Sequence, residues 1–365
     1  MSEVRNPIPG DSAAESAPPR KRRGRRIDLA GFAADLRGAV PDASAALVIT
    51  GLIFWWLYSR VAAGVSQTVQ VMPFLADANQ YWVYWLCQAF GWSALLWAWI
   101  TVMLGLIRSS TLPGWMPFSA ARIERLHRTT SLTTIALMFA HALAFFVELV
   151  RANDYELPWG GRVLTAFVES FVPGGYPSGT GQVAILVGLL AFYLAIPLGL
   201  AYYVRQATGS RMWRALHRLI IVVYALSVWH TLLYGTSVWF DGWLRTGLWL
   251  LQLPVAALLL ARLLAPARSS ERLRLSDPAV RERPLISAAR LGARLATAAT
   301  IVVLLLVAAS GRDGGRLPGA ESVPVNTPAS FVWAGLAVLL VVAGVVVHTT
   351  RVRRRERRAS GPVPG

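Results

Sequence analysis

Long apolar runs alternate with short polar stretches along most of the chain. A helix needs about 20 apolar residues to cross a bilayer. Eight runs reach or approach that length, at about 45–65, 81–107, 123–150, 183–203, 212–234, 244–264, 295–309 and 331–348. The pattern predicts an all-α integral membrane protein with a six-helix core over 45–264. A cytoplasmic linker follows at 265–288, then a two-helix extension at 289–350. The tails, 1–44 and 351–365, are basic. The first is polar and rich in Pro and Ser, so it is expected to be disordered. It has no early apolar stretch of the signal-peptide kind, which leaves the first span as the insertion signal. The longest loop, about 151–182, carries Pro158, Pro173 and Pro177 and is expected to be irregular. No polar segment reaches the roughly 50 residues of a soluble domain.

Charge orients these spans. Only 15% of residues are charged, against about 25% in soluble proteins. The net charge is nevertheless +17. The arginines explain it: Arg20, Arg22, Arg23, Arg25 and Arg26 precede the first span, and Arg351 to Arg358 follow the last. Arg108, Arg122, Arg125 and Arg128 mark the gap after the second span, and Arg205, Arg211, Arg214 and Arg218 the gap after the fourth. The alternate gaps hold fewer. This is the positive-inside pattern, with both termini cytoplasmic in a plasma (inner) membrane. It also accounts for the basicity without nucleic acid, which would need a basic groove with stacking aromatics outside the membrane. Cys87 is the single cysteine, so an internal disulfide, a zinc ribbon and a cysteine-held iron–sulfur cluster are excluded.

Histidine is the chemistry that remains. There are five: His127, His141, His217, His230 and His348. Coordinating side chains within a membrane are expensive and mark function by default. His127 and His141 lie 14 apart on the third span, and His217 and His230 lie 13 apart on the fifth. Both spans run in the same direction, so His127 matches His217 in depth and His141 matches His230. At 1.5 Å per residue the two levels are about 20 Å apart. Two such cross-helix pairs suit two haems by bis-imidazole ligation. Zinc would want four ligands around one centre. A spacing of 14 returns the second ring to within about 40° of the first, but a spacing of 13 leaves it about 140° away. The fifth helix therefore needs a tilt, a bulge or different imidazole approaches. His348, near Arg351 at the end of the last span, reads as an interfacial side chain.

The stretches RIERLHRTTSLTTIALMFAHALAFF and RMWRALHRLIIVVYALSVWHTLLYG resemble the ferric reductase-like transmembrane domain, over about the second to sixth spans. That domain is shared by NADPH oxidases, ferric reductases and the bacterial haem subunit of a periplasmic methionine sulfoxide reductase. The resemblance implies an inner haem on His127 and His217 and an outer haem on His141 and His230. Both haems would be b-type and non-covalent, and electrons would pass outward one at a time. The family's larger members carry a flavin and nicotinamide domain after the sixth span, where this chain has an Arg-rich linker. The donor is thus expected to be a separate flavoprotein or a quinol. The acceptor would be an extracytoplasmic protein or ferric ion.

Arginine is the favoured partner of a haem propionate. Arg122, Arg125, Arg128, Arg214 and Arg218 lie within a turn or two of His127 or His217, and Arg60 is the candidate for the outer haem. Tyr224, midway between His217 and His230, is a candidate for coupling the haems. Thr129, Thr130, Thr133 and Thr134 either reach a haem edge or let helices pack closely. Two alternatives stand beside this reading: a quinol-fed haem subunit of an extracytoplasmic reductase, and a haem-free scaffold or transporter.

Overall fold

The computed structural model describes residues 27–109, 118–177, 179–264, isolated positions between 291 and 302, and 329–359. The chain is helical where it crosses the apolar runs. In order come α1 (Leu29–Gly38), α2 (Val40–Ala62), α3 (Gln67–Val71), α4 (Trp82–Ser109), α5 (Ala120–Ala152) and α6 (Trp159–Phe171). They are followed by α7 (Gly179–Leu200), α8 (Arg205–Thr208), α9 (Ser210–His217), α10 (Ile220–Tyr234), α11 (Trp243–Leu250), α12 (Gln252–Leu264) and α13 (Ala329–Ala359). Among the described residues six segments are long and apolar enough to span a membrane: Val40–Ala62, Trp82–Ser109, Ala120–Ala152, Gly181–Leu200, Met212–Tyr234 and Trp243–Leu263. They coincide with the six predicted core spans, and the protein is a multi-pass membrane protein.

The core is a ring of four helices. α4 packs along α5, α5 on α7, α7 along α10, and α10 on α4. This leaves α5, which carries His127 and His141, diagonal to α10, which carries His230, with His217 at the end of α9 just before it. α2 and α12 pack on α4 from outside the ring. α7 is apolar on every side, as a helix enclosed by others should be. Its Val183, Leu186, Val187 and Leu190 are covered by Val332 of α13. The apolar part of α13, Ala329–Val345, is about 26 Å long at 1.5 Å per residue. The linker at 265–288 and nearly all of the predicted seventh span lie outside the described residues.

Two sequence expectations change. The tail predicted to be disordered to residue 44 becomes helical at Leu29, because Asp28 caps α1 by accepting from the Gly31 N–H at 2.9 Å. The loop predicted to be irregular at 151–182 contains α6. α5 ends at Asn153, which takes the left-handed conformation (φ 48°). Arg162 of α6 then donates to the carbonyls of Val150 and Arg151. A cation thus answers the orphan carbonyls at the end of α5, and Glu169 accepts from Tyr155 at 2.9 Å.

α1 docks on the Arg-rich end of the ring through its acids. Asp35 accepts from Tyr203 Oη at 3.0 Å and pairs with Arg128 at 3.6 Å. Asp28 pairs with Arg205 at 3.6 Å, and Phe32 packs edge-on against Tyr203 at 5.0 Å. Burial, with the Asp35 hydrogen bond, pushes the Tyr203 phenol above its usual range, so it remains a donor. The Asp35–Arg128 pair is partly exposed and contributes little; the hydrogen bond to the carboxylate is worth about 1.5–3 kcal/mol. Asp35→Ala is therefore expected to speed amide exchange across Leu29–Gly38 by about tenfold or more. Unchanged protection there would assign the docking of α1 to Phe32 instead.

Candidate functional site

The four histidines meet as two pairs across the diagonal of the ring. His127 and His217 have ring centres 5.9 Å apart with planes at 79°. For His141 and His230 the values are 6.0 Å and 74°. The expected 13-residue misfit is reduced in the backbone. The fifth span breaks at Arg218 and Leu219, where Leu219 N–H bonds Leu216 C=O and Val222 N–H bonds Leu219 C=O, both at 2.9 Å. These are i to i+3 turns, which advance about 120° per residue instead of about 100°. The overwound turn carries His230 back toward α5.

Neighbouring helices orient the rings. His127 Nδ1 bonds the Thr101 carbonyl at 2.9 Å, and His141 Nδ1 bonds the Cys87 carbonyl at 2.8 Å, both on α4. His230 Nδ1 bonds the Ala184 carbonyl of α7 at 2.7 Å. His217 Nδ1 is turned toward the Leu198 carbonyl of α7 but closes no hydrogen bond. A carbonyl only accepts, so a nitrogen bonded to it carries the proton. Nε2 is left as the coordinating nitrogen, the arrangement in which metal-bound histidines are held.

The separations discriminate between uses. Two imidazoles joined by an N–H···N bond of about 2.9 Å would have centres roughly 5 Å apart. Two imidazoles trans on one metal, at about 2.0–2.1 Å per bond, have centres roughly 6 Å apart. Both observed pairs match the second. Among the described residues no three His, Cys, Asp or Glu side chains converge as a metal-ion site. A pair supplies only two axial ligands, so the group it fits must bring its own equatorial donors.

A cavity of about 1170 Å³, counting the space at its mouth, adjoins His141 and His230. Met138, Phe145, Leu189 and Phe192 line it, and none of its lining residues is charged. Three glycines shape the walls. A Cβ at Gly91 would lie 3.0 Å from the His141 ring, one at Gly105 3.0 Å from the His127 ring, and one at Gly188 2.7 Å from the His230 ring.

The arginine candidates scatter. Arg60 does not line this cavity. It donates to the Val65 carbonyl at 2.7 Å, lies over the Trp56 ring and borders a separate cavity with Ser66, Gln67 and Trp243. Arg128 is engaged by Asp35 and by Tyr202 Oη, at 2.9 Å from the latter. Arg122, Arg125 and Arg218 are exposed. The cations placed to act on the His127/His217 pair are instead Arg108 and Arg262. Arg108 also pairs with Glu124 at 3.1 Å, and Arg262 donates to Ser109 Oγ at 3.0 Å. Tyr224 is turned away from the cavity and donates to Gln252 Oε1 at 2.8 Å. The threonine hydroxyls after His127 are spent on carbonyls one turn back in α5. His348 is exposed on α13.

Residues 90–228, from α4 into α10 and including His127, His141 and His217, match the family described as ferric reductase like transmembrane component; His230 lies two residues beyond the match. This stretch of the chain is similar to a ferric reductase-like transmembrane domain. No curated protein and no solved structure matches it. Ferric reductase-like domains generally bind haem, and the domain suggests electron transfer across the membrane with separate donor and acceptor partners. Haem takes its protein ligands from side chains such as histidine, and each of the two pairs could supply two. Histidine spacing alone does not reveal the α4 and α7 carbonyls or the three glycines. Their signal was there: Gly91 and Gly105 are 14 apart, as are His127 and His141.

Proposed function

We propose that the chain carries electrons across the plasma (inner) membrane through two b-type haems. His127 and His217 hold the inner one, and His141 and His230 the outer one. The observation that carries this reading is the ring-centre separation near 6 Å in both pairs, with three of the four Nδ1 atoms fixed on backbone carbonyls. Bound there, haem supplies a one-electron couple. The chain's residues supply axial ligation, orientation and exclusion of water from the apolar cavity. Arg108 and Arg262 are the partners for the inner propionates, in place of Arg125, Arg128 and Arg218. Both termini are placed on the cytoplasmic side in this reading, which the arginine distribution supports. The donor is a separate flavoprotein or quinol on the cytoplasmic side, and the acceptor is an extracytoplasmic protein or ferric ion.

The test is a dithionite-reduced minus oxidised spectrum of the purified protein, with pyridine haemochrome quantification and EPR of the ferric form. The expected result is two b-type haems per chain with low-spin bands. Imidazole planes at 79° and 74° predict strongly anisotropic low-spin EPR signals. Protein expressed with ample haem that carries none would leave a haem-free scaffold or transporter as the better reading.

A further inference from the structure

The four imidazoles are not held equally. In a helix the carbonyl of one residue points at the residue four further on, and each Cα–Cβ bond tilts back toward that carbonyl. A ring that bonds the carbonyl from the side therefore collides with any Cβ at the fourth residue. Cys87, Thr101 and Ala184 are the acceptors for His141, His127 and His230. The residues four further on are Gly91, Gly105 and Gly188. The contacts a Cβ would make there, at 2.7–3.0 Å, fall on those same rings. Each of the three rings thus occupies a notch between a carbonyl and a missing side chain.

The fourth ring has no notch. Four residues beyond Leu198 comes Tyr202, after α7 has ended at Leu200. His217 is stacked on Trp213 instead, with centres 5.6 Å apart and planes at 23°. Its Nδ1 and the Trp213 Nε1 are both buried without a hydrogen-bond partner. A stacked ring can slide where a notched, hydrogen-bonded ring cannot.

We propose that Gly91, Gly105 and Gly188 are positioning residues that fix the ring planes of His141, His127 and His230, and that His217 is the exchangeable ligand of the four. The inference rests on the two-haem reading, and its test separates the two. In the full-length purified protein, Gly91→Ala and Gly188→Ala are expected to shift the EPR signal and midpoint potential of the outer haem alone. Gly105→Ala is expected to shift those of the inner haem alone. Outer-shell changes of this kind weaken retention of the bound group by about 10–100-fold. Alanine favours helix over glycine, so the variants are not expected to unfold through propensity. Gly51→Ala, where a Cβ meets nothing within 4 Å, is the control. Should Gly188→Ala fail to fold, Gly91→Ala carries the test of the outer site. Carbon monoxide added to the reduced wild-type protein is expected to bind the inner haem only, the haems being assigned with His127→Ala and His141→Ala. Unshifted signals in all three glycine variants would overturn the positioning role. Carbon monoxide binding to both haems, to neither, or to the outer one would overturn the exchangeable His217. Wild-type protein without haem would overturn the two-haem reading itself.

Discussion

Replacing His141 with alanine is expected to remove one haem, and replacing His230 is expected to remove the same one. Each variant should fall from two haems per chain to one, with the inner low-spin EPR signal unchanged. The reason is geometric. The two rings face each other at 6.0 Å, and each is anchored by Nδ1 to a different helix, His141 to α4 and His230 to α7. Among the described residues no third His, Cys, Asp or Glu side chain joins the pair as a metal-ion site. Cys87 is the nearest candidate, with Sγ 3.5 Å from His141 Nδ1. It stands on the carbonyl side of the ring, away from His230. With one imidazole removed, the group would be held by the single remaining imidazole and by apolar contact, too little to retain it through purification. Heights of the reduced α band, normalised to protein and compared across the two single variants and the double variant, check this. Were the double variant to lose both haems while each single lost one, the cross-helix pairing would be wrong.

Much of this arrangement was legible in the sequence because a membrane simplifies the code. Apolar runs must be helices there, since every backbone polar group has to be satisfied within its own segment. The six core spans and the four histidines followed from run length and spacing. Depth followed too, because His127 and His217 stand at corresponding places in parallel spans. What was hidden depends on lateral neighbours. Arg60 looked like an outer-haem ligand partner by height along α2, but the Val65 carbonyl and the Trp56 ring draw it toward a different cavity. Arg128 looked like an inner partner by proximity to His127, until Asp35 of α1 claimed it. That helix was itself missed, because its apolar residues are too few to stand out beside the spans. The 13-residue spacing signalled a local defect in the fifth span without locating it; the overwound turn at Arg218 and Leu219 is where it lies.

Removing the inner pair is expected to stop electron transfer across the membrane while leaving the outer haem in place. His127→Ala and His217→Ala together break only the ligation near the Arg-rich end. The outer pair rests on carbonyls of Cys87 and Ala184, each 14 residues along its helix from Thr101 and Leu198 at the inner level, so its frame is untouched. The two levels are about 20 Å apart along the helices, within a hydrocarbon core of about 30 Å. With the inner haem gone, an electron entering from the cytoplasmic side would have to cross most of that core in one step. Proteoliposomes loaded with dithionite and given external ferricyanide test this directly. The double variant should reduce ferricyanide at the rate of protein-free vesicles, yet its outer haem should still be reduced by dithionite added outside. Transfer that persisted would require a side-chain relay at mid-depth, and Tyr224 is the residue to replace next. Its phenol is held by Gln252 of α12, on the side of α10 turned away from the cavity beside the outer pair. A phenol so placed stabilises the contact of α10 with α12 and does not join the two haem levels. Tyr224→Phe should accordingly leave the wild-type transfer rate unchanged.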